Sequence, residues 1–88
     1  MRITLHPNFE KSYKARIAKS TKLILQVEER IKRFQKNPTD SVLRNHALKG
    51  NKKGVYSFSV TGGIRILYIP VSKDQVILID IGTHNQVY

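Results

Sequence analysis

The chain has 88 residues, enough for one small hydrophobic core over residues 1–88 and too few for two, because each half would fall below the size at which burial offsets chain entropy. Cys is absent, which excludes a disulfide framework or a thiolate metal site and fits a reduced cytoplasmic setting; no run is long enough to span a membrane, and the start lacks the apolar core of a signal peptide. Sixteen Lys and Arg against six Asp and Glu give a formal net charge of +10, an excess that favours a polyanionic partner, although a basic surface can also serve solubility alone.

Residues 2–6, Arg-Ile-Thr-Leu-His, predict a short first strand, and Pro7 suits the first turn of a helix because its φ is already fixed. Phe9, Tyr13 and Ile17 recur at steps of four among basic residues, a narrow apolar stripe. Lys-Ser-Thr at 19–21 breaks the pattern, and Ser20 or Thr21 can cap a second helix. There Ile24, Val27, Ile31 and Phe34 line one face until Asn37 and Pro38 stop it. Two amphipathic helices joined by so short a break predict an antiparallel hairpin whose stripes cover a common surface.

The remainder supplies that surface. Between Ser41 and Lys73 there are six basic residues and no acidic one. Tyr56, Phe58 and Val60 alternate with Ser57 and Ser59, the period of a half-buried strand. Thr-Gly-Gly at 61–63 predicts a turn, and residues 64–69 and 75–81 two further strands, the last apolar on both faces and so interior. A three-residue loop with one Gly in the left-handed conformation would pair Val60 with Ile64, Phe58 with Ile66 and Tyr56 with Tyr68. That register puts Ser59 opposite Arg65 on the face away from the helices. The expected fold is α+β, a two-helix antiparallel hairpin packed on a mainly antiparallel four-stranded sheet in the order β-α-α-β-β-β.

Candidate chemistry rests on His46, Arg65, His84, Tyr88 and the basic group Arg44, Lys49, Lys52 and Lys53. Each has a plain structural reading as well: a satisfied histidine, an aromatic plug, a solvated lysine face, or Arg65 paired with Asp80. His6 reads as structural or incidental. Three scattered His without Cys make a poor metal-ligand set, and neither a phosphate-binding Gly loop nor a nucleophile elbow is present. Metal-free RNA cleavage fits what remains, because the substrate brings its own 2′-OH nucleophile. His can then move the two protons, Arg can grip the phosphate, and a Tyr can stack on a base. Its products would be a 2′,3′-cyclic phosphate and a 5′-OH, and the four groups are expected to share one electropositive hollow.

Taken in order, His-Ala-Leu-Lys-Gly (46–50), Arg-Ile-Leu-Tyr (65–68) and the ending Gly-Thr-His-Asn-Gln-Val-Tyr (82–88), behind a β-α-α start, resemble the RelE superfamily of bacterial toxins, especially its YafQ-like branch. The resemblance implies a toxin, neutralised by a cognate antitoxin, that cuts mRNA in the ribosomal A site with 16S rRNA contacts. It needs no cofactor or membrane, and meets DNA only through the toxin–antitoxin complex. By position, His46 and His84 match the branch's catalytic histidines, Arg65 the superfamily's strand arginine and Tyr88 its terminal aromatic. The branch usually carries an Asp two residues before that arginine, where this chain has Gly63, and Ser59 stands where some relatives have a further His; both imply a weakened enzyme. Two alternatives follow from the same resemblance. One is a toxin that poisons a protein such as gyrase, and the other a weakened toxin acting mainly as an antitoxin-binding partner or corepressor.

Overall fold

The computed structural model describes all residues 1–88. Strand β1 (Arg2–Leu5) leads into α1 (Pro7–Arg16) and α2 (Thr21–Lys36), followed by β2 (His46–Ala47), β3 (Tyr56–Ser59), β4 (Ile64–Ser72), β5 (Gln75–Thr83) and a final turn of helix, α3 (His84–Val87). The sheet order is β1-β5-β4-β3-β2, with β1 parallel to β5 and every other pair antiparallel. The α+β hairpin-on-sheet arrangement is as expected, with five strands rather than four. The additional strand, β2, is two residues long, too short to leave a periodic signature in the sequence.

Local chemistry accounts for the helix boundaries. His6 is the N-cap of α1, its Nδ1 accepting from the Asn8 N–H at 3.0 Å, and Pro7 occupies the first helical position, where no N–H is needed. Ser20 caps α2 by accepting from the Leu23 N–H at 3.2 Å, and Asn37 closes it. On the solvent side of α2, Arg33 bonds Glu29 at 3.1 Å, which holds the glutamate carboxyl below its usual range.

One face of the sheet carries the core. Phe9, Ile17, Val27 and Phe34 from the helical hairpin are buried against Phe58, Val60, Ile66, Tyr68, Leu78 and Ile81. Phe34 stacks on Phe58 with ring centroids 4.3 Å apart. The register is the expected one, with Tyr56 opposite Tyr68, Phe58 opposite Ile66 and Ser59 opposite Arg65. The turn that sets it differs. Neither Gly62 nor Gly63 has a positive φ. Instead Thr61 Oγ1 accepts from the Gly63 and Ile64 N–H groups at 3.1 and 3.0 Å, so a side chain does what a left-handed glycine would have done.

Helix α1 also lies along the part of β5 that β1 does not reach. β1 ends opposite Leu78, and beyond it Asn8 Nδ2 donates to the Ile79 carbonyl at 2.8 Å and Arg16 Nη1 to the Ile81 carbonyl at 3.0 Å. These side chains stand in for a missing strand and cover an edge that would otherwise offer free acceptors. No helix is long and apolar enough to cross a membrane.

Candidate active site

The sheet face turned away from the hairpin holds a straight row of paired residues. His46 on β2 faces Ser57 on β3, Ser57 faces Leu67 on β4, and Leu67 faces Asp80 on β5. The neighbouring row is Ser59, Arg65 and Gly82. Side chains directly opposite on one face sit about 4.5–5.5 Å apart at Cβ, so His46 lies directly across from Ser57 on one side and Arg65 one diagonal step away on the other.

His46 owes its orientation to the residue two before it. Arg44 has a left-handed backbone (φ 48°), uncommon for a residue with a side chain, and its carbonyl lies 2.9 Å from His46 Nδ1. A carbonyl only accepts, so Nδ1 is the donor of this bond, and Nε2 is left without a partner in the chain. The segment before His46 is tied down by Tyr68, whose hydroxyl donates to Asn45 Oδ1 at 2.7 Å while Asn45 Nδ2 donates to the Pro38 carbonyl at 3.0 Å. Burial raises the Tyr68 phenol above its usual pKa, keeping it a neutral donor.

His84 and Tyr88 come from α3, which folds back over the row. Their rings meet edge to face with centroids 4.4 Å apart, and the Tyr88 hydroxyl donates to Ser57 Oγ at 2.6 Å. The turn into α3 places two side-chain ends over Gly82. A Cβ there would lie 2.6 Å from Gln86 Oε1 and 2.8 Å from Arg16 Nη1, and Gln86 Oε1 is the acceptor for the Thr83 N–H at 2.8 Å.

Arg65 is half-buried and has no ion pair within the chain. Asp80, its candidate partner from sequence, is bound to Arg16 instead, at 3.4 Å. Arg65 Nη1 is enclosed and has no hydrogen-bond acceptor anywhere in the protein. A buried donor left unpaired costs about 1–3 kcal/mol, so this guanidinium sits in the strand at a cost that no acceptor inside the fold offsets.

The four groups thus share one face, but not one hollow as the sequence suggested. Among the larger hollows, none is lined by more than one of them. His46 and Arg44 border a hollow of about 460 Å³ at the β2 edge, with Tyr56 and Tyr68 behind. Lys52 borders another of about 410 Å³, over Leu67, Ile79 and Val87. The face is an open platform because β2 is too short and α3 too small to wall it in, a shape that suits an extended strand better than an enclosed small molecule. Lys49 and Lys53 flank the turn between β2 and β3 and are exposed. Sequence reasoning did not single out Ser57 or the Arg44 carbonyl. The Tyr-Ser-Phe-Ser alternation does give the face of Ser57, but no local signal reports its partner 31 residues away. No three His, Asp or Glu stand close enough together to hold a metal ion.

The fold has solved counterparts. A copper-bound mutant toxin from Helicobacter pylori is 25% identical, with a TM-score of 0.73, covering 100% of this chain and 99% of its own. YafQ from E. coli is 20% identical with a TM-score of 0.83 at the same coverage. The YoeB–YefM complex from Staphylococcus aureus gives 22% identity and a TM-score of 0.75 over 96% of this chain and 97% of that one. Among curated proteins none matches the chain. The model of the bacterial toxin of type II toxin–antitoxin systems, YafQ, matches residues 1–88 in full. The chain therefore belongs to the YafQ family of type II toxin–antitoxin toxins.

Proposed function

We propose that this toxin is a ribosome-dependent mRNA endoribonuclease that inhibits translation by metal-free cleavage. The observation that carries the reading is Arg65, half-buried and without an ion pair, in the row next to the one that holds His46. The RNA 2′-oxygen attacks the adjacent phosphorus, and the new P–O2′ bond forms as the bond to the 5′-oxygen breaks. A 2′,3′-cyclic phosphate and a 5′-OH result. His46 Nε2 takes the 2′-OH proton, and His84, as the imidazolium, returns one to the leaving oxygen. Arg65 holds the phosphorane through two N–H donors. The Tyr88 hydroxyl is already bonded to Ser57, so this residue orients a base with its ring rather than with its hydroxyl. Arg44, Lys49, Lys52 and Lys53 hold the RNA backbone and 16S rRNA.

A cognate antitoxin completes the system, its acidic or amphipathic segment wrapping the helices and covering the basic face. The heterotetrameric YoeB–YefM toxin–antitoxin complex of Staphylococcus aureus supports such a partner. Gly63, where the branch usually has Asp, leaves the acid–base set thin and the enzyme attenuated.

Induced expression should arrest growth, with transcripts cut inside codons and ending in 5′-OH. His46→Ala, His84→Ala and Arg65→Ala should each lower ribosome-dependent cleavage by about 10²- to 10⁴-fold. Gly63→Asp, whose Cβ meets nothing within 4 Å, should raise it. Equal arrest from wild type and all three alanine variants, or arrest with intact messages and broken DNA, would overturn the reading.

A further inference from the structure

We propose that Ser57 is a positioning residue for this reaction, its hydroxyl holding Tyr88, and through it His84, against the strand row that carries His46. The inference rests on the RNA-cleavage reading above. Ser57 is wholly buried, and a buried hydroxyl needs a partner. The partner is the Tyr88 hydroxyl at 2.6 Å, which makes the only side-chain hydrogen bond from α3 and Tyr88 to any residue outside the C-terminal turn. α3 is a single turn of four residues, too short to persist by its own backbone bonds. Its place on the sheet therefore depends on Val87, which is buried, and on this bond.

Ser57 touches both arms of the site. Across the strand pair it faces His46, and through Tyr88 it reaches the edge-on ring of His84. The bond also turns the hydroxyl end of Tyr88 down onto the sheet, while the residue stays partly exposed for a base to stack on. Ala at position 57 would remove the acceptor and leave the phenol without its partner, whereas Phe at position 88 keeps the ring and removes the donor. The two changes break the same bond from opposite ends.

The test is single-turnover cleavage of mRNA on programmed ribosomes by wild type, Ser57→Ala, Tyr88→Phe and the double variant. Each single change should slow cleavage about three- to tenfold with substrate affinity nearly unchanged, and the double variant should be no slower than the worse single one. Multiplying effects, or rates equal to wild type, would overturn the proposal. Should Ser57→Ala fail to fold, Tyr88→Phe interrogates the bond with Ser57 intact. A second measurement does not need activity: ¹⁵N relaxation should show backbone order parameters for residues 84–88 falling below about 0.6 in Ser57→Ala while β3 to β5 stay rigid. Unchanged order there would overturn the role of Ser57. A wild type that cleaves no RNA would instead remove the reaction reading, and the relaxation result then decides alone whether Ser57 anchors α3.

Discussion

Arg65 shows how one residue can be costly to the fold and, on the proposed reading, central to the site. Its Nη1 is enclosed without an acceptor, while the one carboxylate within reach of its strand, Asp80, is committed to Arg16. Replacing it with a side chain of similar length and no polar atoms should remove that penalty. Arg65→Met is expected to raise thermal stability, by about 1–2 kcal/mol in unfolding free energy, while abolishing RNA cleavage. Chemical denaturation alongside a cleavage assay checks both halves, and a destabilised Arg65→Met would show that the guanidinium is satisfied within the fold. The left-handed Arg44 is a second local departure from comfortable geometry with a visible use, since its carbonyl accepts from His46 Nδ1.

The short elements matter more to the site than the long ones. α1 and α2 bury the hairpin side of the sheet, but β2 and α3, six residues between them, carry His46 and His84. At the start of α3, Gly82 leaves room for the ends of the Gln86 and Arg16 side chains, which lie where a Cβ would project. Gly82→Ala should turn those side-chain ends aside and leave the Thr83 N–H without its acceptor, costing about 0.5–1.5 kcal/mol and slowing cleavage more than the stability loss explains. Comparing its melting curve with its cleavage rate checks this. The long elements were legible from sequence because their apolar residues repeat at helix or strand period over many positions. A two-residue strand and a one-turn helix repeat nothing, and Thr-Gly-Gly suits a glycine turn as well as the Thr61 side-chain turn that forms.

For the whole molecule the governing quantity is charge. On the proposed reading, a net +10 would make association with RNA a counterion-release process, with affinity falling steeply as salt rises. Changing Lys49, Lys52 and Lys53 together to Ala should flatten the slope of log affinity against log salt by about 2, the value for three phosphate contacts on a single strand. Titration of a single-stranded RNA at several salt concentrations measures it. An unchanged slope would move the RNA path off the β2–β3 turn. For the proposed RNA substrate an open platform would draw binding strength from this long-range field and alignment from the few fixed groups on the row.

Sequence alone determined the helical hairpin, the α+β class, the pairing of β3 with β4 and the face on which Arg65 lies. All of these follow from periodicity, charge and motif order, which are local or additive properties of the chain. Tertiary structure alone decided that Asp80 serves Arg16, that Arg44 sets the ring of His46, and that Ser57 joins the end of the chain to the middle of the sheet. Each of those depends on a backbone bend or a contact between distant segments, and a hydrogen bond a few ångströms long has no counterpart in a linear pattern until the fold brings its two ends together.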